Sequence, residues 1–373
     1  MVVVVNCWVL RNKELDGIGN FTVETLSRMI PMHPEVKFML LVDRGYQEDY
    51  FNFPNVSLHK VFPALRHPLL YVWFMETVVP RFLKKYSPDL FLSMDGFLSL
   101  STKTKQLPVI YDLNFEHYPD DLKFKNRIYY RTFFKRFAHK ASRIATISEF
   151  SKKDIIDRYA IQEGKIDNVS CGVKQRFRPI NLQEKDACKQ RYNINEDYFF
   201  FIGSMHPRKN IVRLIKAFDS FKRETGSKIK LVLSGHILWG DSRIQSVMSE
   251  IHCAHDIIFT GRVNDEDLVL LLGAALALCF VPTIEGFGLP IVEAFQAEVP
   301  VLCSNTTSMP EVAGNAAILV NPFNINEIAA AMKKLVMDRG LRNNLIICGR
   351  EQRKLFTWQN TAERLYACIM KGC

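Results

Sequence analysis

Short, almost wholly apolar runs alternate with longer amphipathic stretches along this chain, and that alternation admits few folds. Apolar runs without a period of two read as strands buried on both faces, which belong to parallel sheets with helical crossovers. The expected strands of the first half are Val2–Asn6, Phe38–Asp43, Asp89–Met94, Pro108–Leu113 and Arg143–Ser148. Those of the second half are Tyr198–Ser204, Lys230–Gly235, Ile257–Gly261, Leu276–Pro282 and Pro300–Ser304. Helical patterns follow. Ile211, Leu214, Ile215, Phe218 and Phe221, for example, share one helical stripe.

The two sets imply two domains, and 373 residues suit two cores of roughly 150 to 200 residues each. Gly172–Asp197, polar and charged with Pro179, reads as the linker. The expected fold class is therefore α/β, with two Rossmann-like doubly wound domains facing each other across a cleft. Ligands of such sheets bind outside the carboxyl ends of the strands.

A hydrophobic fraction of 48% with 24% charged residues is that of a globular chain. The N-terminus lacks the basic region and small-residue cleavage site of a signal peptide, and no apolar run reaches the ~18 residues of a spanning helix. Nine cysteines, an odd number without a C-x-x-C pair, argue for a reducing cytoplasm and against a disulfide framework or a zinc site. The net charge of +10 points to an acidic partner. Much of it lies in Lys123–Arg143, which holds eight Lys or Arg and no acidic residue, interleaved with Phe124, Tyr129, Tyr130, Phe133, Phe134 and Phe137. Such a segment is either a packed helix with a solvated basic face or an interfacial helix on an anionic membrane. No nucleic-acid module accompanies it, so nucleic acid is not an expected partner.

Three turns carry candidate chemistry. Asp16-Gly17-Ile18-Gly19-Asn20 follows the first strand, where paired glycines let backbone approach an anion at a helix start, or simply form a turn. His206-Pro207-Arg208-Lys209-Asn210 places adjacent cations ahead of a helix, suited to clamp a diphosphate, although a solvated basic loop has the same composition. Most informative is Thr283-Ile284-Glu285-Gly286-Phe287-Gly288-Leu289-Pro290-Ile291-Val292-Glu293. Here a buried strand ends, glycines turn the chain and Pro290 opens a helix, exposing amides to an anion. Glu285 in the loop and Glu293 one turn into the helix can face one ligand, and carboxylates accept hydrogen bonds from sugar or ribose hydroxyls.

The Glu285/Glu293 E-x7-E arrangement within E-G-F-G-L-P-I-V-E-A resembles that of glycosyltransferase family 4 enzymes of the GT-B fold. In matching order come Gly17-Ile18-Gly19, Thr146 through Asp154, Gly203 through Lys209-Asn210, Phe259 through Val263, Ser308 through Val312 and Phe356-Thr357-Trp358. The resemblance spans nearly the whole chain. It implies an N-terminal acceptor domain over 1–175, a nucleotide-sugar domain over 176–355, and a last helix over 356–373 crossing back to the first domain. By resemblance, Arg208 and Lys209 hold the donor diphosphate, and Glu293 binds the ribose. Glu285 with the amides of Phe287, Gly288 and Leu289 positions the donor sugar and phosphate. Backbone around Arg262 and Val263 holds the base, Gly203 lies in the donor-binding turn, and Gly17 and Gly19 let the first domain close on the phosphates. The reaction implied is retaining transfer from a UDP- or GDP-sugar to a glycan or lipid-linked acceptor, in surface polysaccharide or glycoconjugate synthesis. Neither cofactor nor metal is expected, and Asp265-Glu266-Asp267 reads as acidic residues opening a helix. The expected location is cytoplasmic, including the inner membrane face.

One departure stands out. Where many family members have histidine before aspartate, this chain has Tyr111-Asp112, and His117 a few residues on is either the candidate sugar ligand in its place or a structural loop residue. Candidate acceptor surfaces are the loops His59–His67 and Asn114–Asp121, with Phe62, Leu65, Leu69, Leu70, Trp73 and Phe74 as either a hydrophobic acceptor or membrane surface or plain core. Tyr111 also leaves room for a catalytically silent nucleotide-sugar-binding scaffold. The two-domain plan alone would suit a sugar-nucleotide epimerase.

Overall fold

The computed structural model describes residues 1–11, 15–43, 46, 50–61, 68–122, 124–236 and 242–373. Its contacts divide the chain into two units, one of Met1–Gly172 with Thr357–Cys373 and one of Val173–Phe356.

The first unit contains β1 (Val2–Asn6), β2 (Lys37–Asp43), β3 (Val56–Val61), β4 (Leu90–Ser93) and β5 (Gln106–Pro108) in one sheet, and β6 (Ile144–Thr146) and β7 (Ile166–Asn168) as a small parallel pair. The five-stranded sheet is parallel throughout, in the order β3-β2-β1-β4-β5. Its helices are α1 (Gly17–Met32), α2 (Pro68–Trp73), α3 (Val79–Tyr86), α4 (Asn114–His117), α5 (Phe124–Lys140) and α6 (Glu149–Tyr159).

The second unit begins with α7 (Leu182–Arg191) and carries β8 (Tyr198–Ile202), β9 (Lys230–Ser234), β10 (Ile257–Gly261), β11 (Ala277–Phe280), β12 (Val301–Ser304) and β13 (Ala317–Val320). These form a parallel sheet ordered β10-β9-β8-β11-β12-β13. Its other helices are α8 (Ile211–Thr225), α9 (Ser242–Glu250), α10 (Asp265–Gly273), α11 (Leu289–Gln296), α12 (Met309–Ala313), α13 (Ile325–Met337) and α14 (Arg339–Gln352). The final helix, α15 (Trp358–Gly372), is capped by the Thr357 hydroxyl and packs on α1 in the first unit.

In each large sheet the strand order reverses, between β1 and β4 in the first and between β8 and β11 in the second. The connections leaving these neighbouring strands run in opposite directions, so a crevice opens at their carboxyl ends. The central strands are buried on both faces: Val3, Val4 and Val5 in β1 and Tyr198 through Phe201 in β8 are all inaccessible to solvent. That burial is why they read as continuous apolar runs.

Three expectations need correction. The stretch read as a linker, Gly172–Asp197, contains α7, started by a capping box in which Asn181 and Glu184 bond each other's backbone N–H. Its polar outer face hid it, while Cys188 is buried on its inner side. The strand expected over Pro108–Leu113 stops at Pro108. Beyond it Val109 bridges Ala145 and the Ile110 N–H bonds the Ala145 carbonyl, which redirects the chain toward β6. Strands β3, β7 and β13 were not anticipated. β3 and β13 are sheet edges with half-exposed residues and β7 is three residues long, so none shows a continuous apolar run.

Close approach of two turns holds the second sheet's carboxyl edge together. Gly235, at φ +144°, lies so near Gly203 that a Cβ would sit 1.9 Å from the Gly203 carbonyl oxygen. Backbone cannot yield there as a flexible side chain can. Gly235→Ala should therefore lower stability by at least about 3 kcal/mol in chemical denaturation; an unchanged midpoint would show that this contact is not obligatory.

Candidate active site

The reversal point of the second sheet gathers the strongest of the sequence candidates. Beyond β8 the chain passes Gly203, whose N–H bonds the Ser234 carbonyl, into a short 3-10 turn at Pro207–Lys209 and then α8. Asn210 takes a left-handed conformation (φ 64°) between them. Its side-chain amide donates to the carbonyls of Val281 (2.9 Å) and Pro322 (2.7 Å), tying this turn to the end of β11. The Thr283 N–H completes the junction by donating to the Arg208 carbonyl at 2.8 Å. Backbone thus sets Arg208 and Lys209 beside the Glu285 loop before any side-chain charge acts.

The charges then meet. Arg208 Nη1 lies 2.9 Å and Lys209 Nζ 2.5 Å from the same oxygen, Oε2 of Glu285. Lys209 is buried, with its ammonium 4.9 Å from the Phe280 ring centroid, a cation–π contact that helps offset lost water. Burial pushes the Glu285 carboxyl up, but the Lys209 and Arg208 charges and hydrogen bonds outweigh it and hold the group below the usual carboxylate range. The Ser308 hydroxyl fixes the loop by donating to the Glu285 carbonyl at 2.8 Å. Two cations thus converge on one carboxylate oxygen, and an arriving anion can compete with it for their hydrogen bonds.

Beyond Glu285, Phe287 is buried edge-to-face against Phe356, with centroids 5.5 Å apart. Gly288, the cap of α11, has φ +96°. A side chain there would also push aside the Met309 methyl, 2.5 Å from the Cβ position, but it is the left-handed backbone that favours glycine. No side chain caps α11, Pro290 brings no N–H, and the Ile291 N–H bonds the Gly288 carbonyl. Among the described residues this leaves the Gly288 and Leu289 amides at the helix start without a bond, a natural anion seat.

Glu293 sits on α11, half-buried, with no hydrogen bond to its carboxylate among the described residues. Burial pushes its carboxyl up to about 7, against the pull of Arg176 and Lys174. Those two cations come from the stretch read as linker, and the sequence analysis did not single them out. Arg176 is also ion-paired with Asp265. The alternating Lys174, Arg176 and Arg178 are the signal that was there to find. Arg262 is exposed and Val263 half-buried just past β10, where Gly261 turns with φ +67°. The acidic trio opens α10, with Asn264 as its cap.

Other candidates lie in the first unit. Gly17 and Gly19 do not form a turn ahead of a helix. They are in the first turn of α1, because the Asp16 carboxylate caps it, accepting from the Gly19 N–H at 2.8 Å. Among the described residues, a Cβ on Gly17 would meet nothing within 4 Å. His117 ends α4 with both ring nitrogens engaged: Nε2 is 2.8 Å from Asp154 Oδ2 and Nδ1 is 2.8 Å from an Arg158 amino group. The arginine can only donate, so Nδ1 accepts and Nε2–H donates to Asp154. Tyr111 donates its hydroxyl to the Met94 carbonyl (2.8 Å) and packs edge-to-face on Phe21 of α1. Burial pushes its phenol well above its ordinary value. Of the apolar stripe, Phe74 is core while Leu70 and Trp73 are exposed. Phe62, Leu65 and His67 lie outside the described residues, as do Lys123 and the Leu69 side chain.

The raised Glu293 carboxyl has a signed consequence. Its folded value exceeds its unfolded one, so its charge penalises the folded state increasingly from about pH 4.5 to 7 and fully above that. Glu293→Gln should be neutral near pH 4 and stabilising near pH 8, by about 2 kcal/mol. A stability difference that does not change with pH would remove the assignment.

The fold and this cluster have relatives. The family described as Glycosyltransferase Family 4 matches residues 15–176, and that described as Glycosyl transferases group 1 matches residues 183–352. O-antigen chain mannosyltransferase B of Escherichia coli is 34% identical over 59% of this chain, and the match spans 58% of that protein's length. Sucrose-phosphate synthase from Thermosynechococcus elongatus superposes with a TM-score of 0.77 at 17% identity over 100% of both chains. HepE of Anabaena in complex with UDP-glucose does so at 0.75 and 14% over 99% of both. The fold is GT-B, and the chain belongs to glycosyltransferase family 4.

Proposed function

We propose that this protein is a retaining glycosyltransferase that moves a hexose, mannose foremost, from a nucleotide sugar to a glycan or lipid-linked glycan acceptor in surface polysaccharide synthesis. The observation that carries the reading is the Arg208–Lys209–Glu285 cluster, with Lys209 buried, at the reversal point of the second sheet. Mannosyl transfer in O-antigen assembly is the activity named for its Escherichia coli relative, and HepE was solved with UDP-glucose.

In this reading the donor diphosphate enters beside Arg208 and Lys209 and takes over part of their charge. Its oxygens also meet the Gly288 and Leu289 amides at the start of α11. Glu285, released in part from its cations, accepts a hydroxyl of the donor sugar. Glu293 accepts the ribose hydroxyls as a carboxylate, so donor binding expels a proton and strengthens as pH rises through about 7. Backbone at Arg262 and Val263 meets the base. As the glycosidic bond breaks, negative charge grows on the leaving diphosphate, and fixed cations stabilise that charge more than the ground state. Chemistry of this kind rests on position and charge and calls for no metal. Gly17 and Gly19 give the first unit a helix start of its own that suits an anion. His117, held by Asp154 and Arg158, orders the α4–α6 region and can contact a sugar hydroxyl only if those bonds open.

The same reading gives the basic helix a task. α5 exposes Phe124 (66%) and Ile128 (51%) one turn apart, amid exposed Lys125, Arg131, Lys135, Arg136 and Lys140. α2 packs beside it with Trp73 and Leu70 exposed. Apolar side chains surrounded by cations suit an anionic bilayer, which would present a lipid-linked acceptor. Among the described residues no helix is long and apolar enough to cross a membrane.

Donor binding is tested by thermal shift with UDP-, GDP-, ADP- and TDP-sugars in EDTA. One nucleotide should raise the melting temperature, and Lys209→Ala should cut turnover roughly 100- to 1,000-fold. No shift at millimolar concentration would leave a silent scaffold as the better description. For the membrane face, sedimentation with phosphatidylglycerol vesicles should show binding that falls steeply with salt and weakens severalfold in Phe124→Ala/Ile128→Ala. Salt-independent or absent binding would return α5 to an ordinary solvated helix.

A further inference from the structure

The first sheet has its own reversal point, and a charged group that the donor chemistry leaves unused stands there. Asn6 ends β1, Ser93 ends β4, and Asp95 follows two residues on. Asp95 is half-buried, and its carboxylate collects donors from three elements. Asn6 Nδ2 reaches both oxygens (3.0 and 3.1 Å), Ser93 Oγ donates to Oδ1 at 2.7 Å, and the Tyr71 hydroxyl of α2 donates to Oδ2 at 2.6 Å. The Phe97 N–H lies 3.4 Å from Oδ1. Burial pushes the carboxyl up, partly offset by the Tyr71 and Ser93 hydrogen bonds.

Aromatic rings stand beside this carboxylate. Tyr71 and Phe97 meet edge-to-face with centroids 4.7 Å apart, and Phe97 stacks on Tyr129 at 5.8 Å. Tyr71, Phe97 and Tyr129 are only half-buried, so the group opens to solvent. Beneath it the aromatic packing closes over Phe74, Phe134 and Phe137, which are core.

A purely structural tie between strand ends needs no charge; a neutral amide would serve without the penalty of holding an anion among aromatic rings. A sugar ring needs both parts of what is present. Its C–H face packs on half-exposed aromatic rings, and its hydroxyls donate to a fixed carboxylate in place of the Tyr71 hydroxyl. The position is the one where open parallel sheets bind ligands.

We propose that Asp95, with Asn6 and Tyr71, is the hydroxyl anchor of a hexopyranoside subsite, with Phe97 and Tyr129 as its stacking wall; it deepens the transferase reading by placing the acceptor sugar in the first unit. Asp95 is a binding group that orients the acceptor.

Saturation-transfer NMR on the full chain with methyl α-D-mannopyranoside, glucopyranoside and galactopyranoside tests this. The intact protein should transfer saturation to at least one glycoside. Asp95→Asn should reduce it at least tenfold while keeping the nucleotide thermal shift of the second unit. Unchanged saturation transfer in Asp95→Asn overturns the proposal, as does its absence from the intact protein while the nucleotide shift is present. Loss of the nucleotide shift itself, by contrast, strikes at the transferase reading. If Asp95→Asn does not fold, Tyr129→Leu is read instead: a severalfold loss supports the stacking wall and full retention overturns it.

Discussion

Everything functional in this molecule depends on parallel strands whose order reverses beside the middle of each large sheet. A parallel pair cannot be joined by a tight turn, so each strand hands its chain to a crossover, a helix or a longer loop, and the next strand starts again at the same edge. Where β8 and β11 lie side by side, their outgoing chains diverge, and the loops carrying Arg208 and Glu285 face one another. Hydrophobic burial of Tyr198 through Phe201 and of Leu278 through Phe280 stabilises this centre and makes it rigid. Polar groups at the strand ends can then be positioned closely by a scaffold that does not yield.

That rigidity holds the buried Lys209 against its partners. An ammonium taken out of water needs compensation, and here Glu285 and the face of Phe280 supply it. The pairing has a second use. A carboxylate shared between two cations keeps both aimed at one point, so an arriving polyanion finds donors already in place. Glu293 follows the opposite course: with no hydrogen bond among the described residues, it sits near neutrality at about 7 and is poised to accept hydroxyl groups at the cost of a proton. Two glutamates eight positions apart are thus driven in opposite directions by their surroundings.

The first unit repeats the plan with different chemistry. Its reversal point holds one carboxylate, an amide and aromatic rings, where the second holds cations and a helix start. A cationic site suits phosphate, and an aromatic–carboxylate site suits a neutral sugar. The contrast follows from side chains at equivalent strand ends rather than from any difference in backbone design.

Local pattern was enough to read the α/β class, the buried strands and the Gly288–Pro290 helix entry, because each depends on residues close in sequence. The Glu285/Glu293 spacing and the cation pair were legible for the same reason. The edge strands β3 and β13 were not, since half-exposed residues carry no continuous apolar signal. Nor was α7, whose single buried residue, Cys188, makes no stripe. What tertiary structure alone decided are the encounters between distant segments: Lys209 with Glu285, 76 residues on, Asn6 with Asp95, 89 residues on, and His117 held by Asp154 and Arg158. Ion pairing and desolvation are properties of such encounters. A carboxylate's charge, partner and proton affinity are therefore settled only when the sheets close.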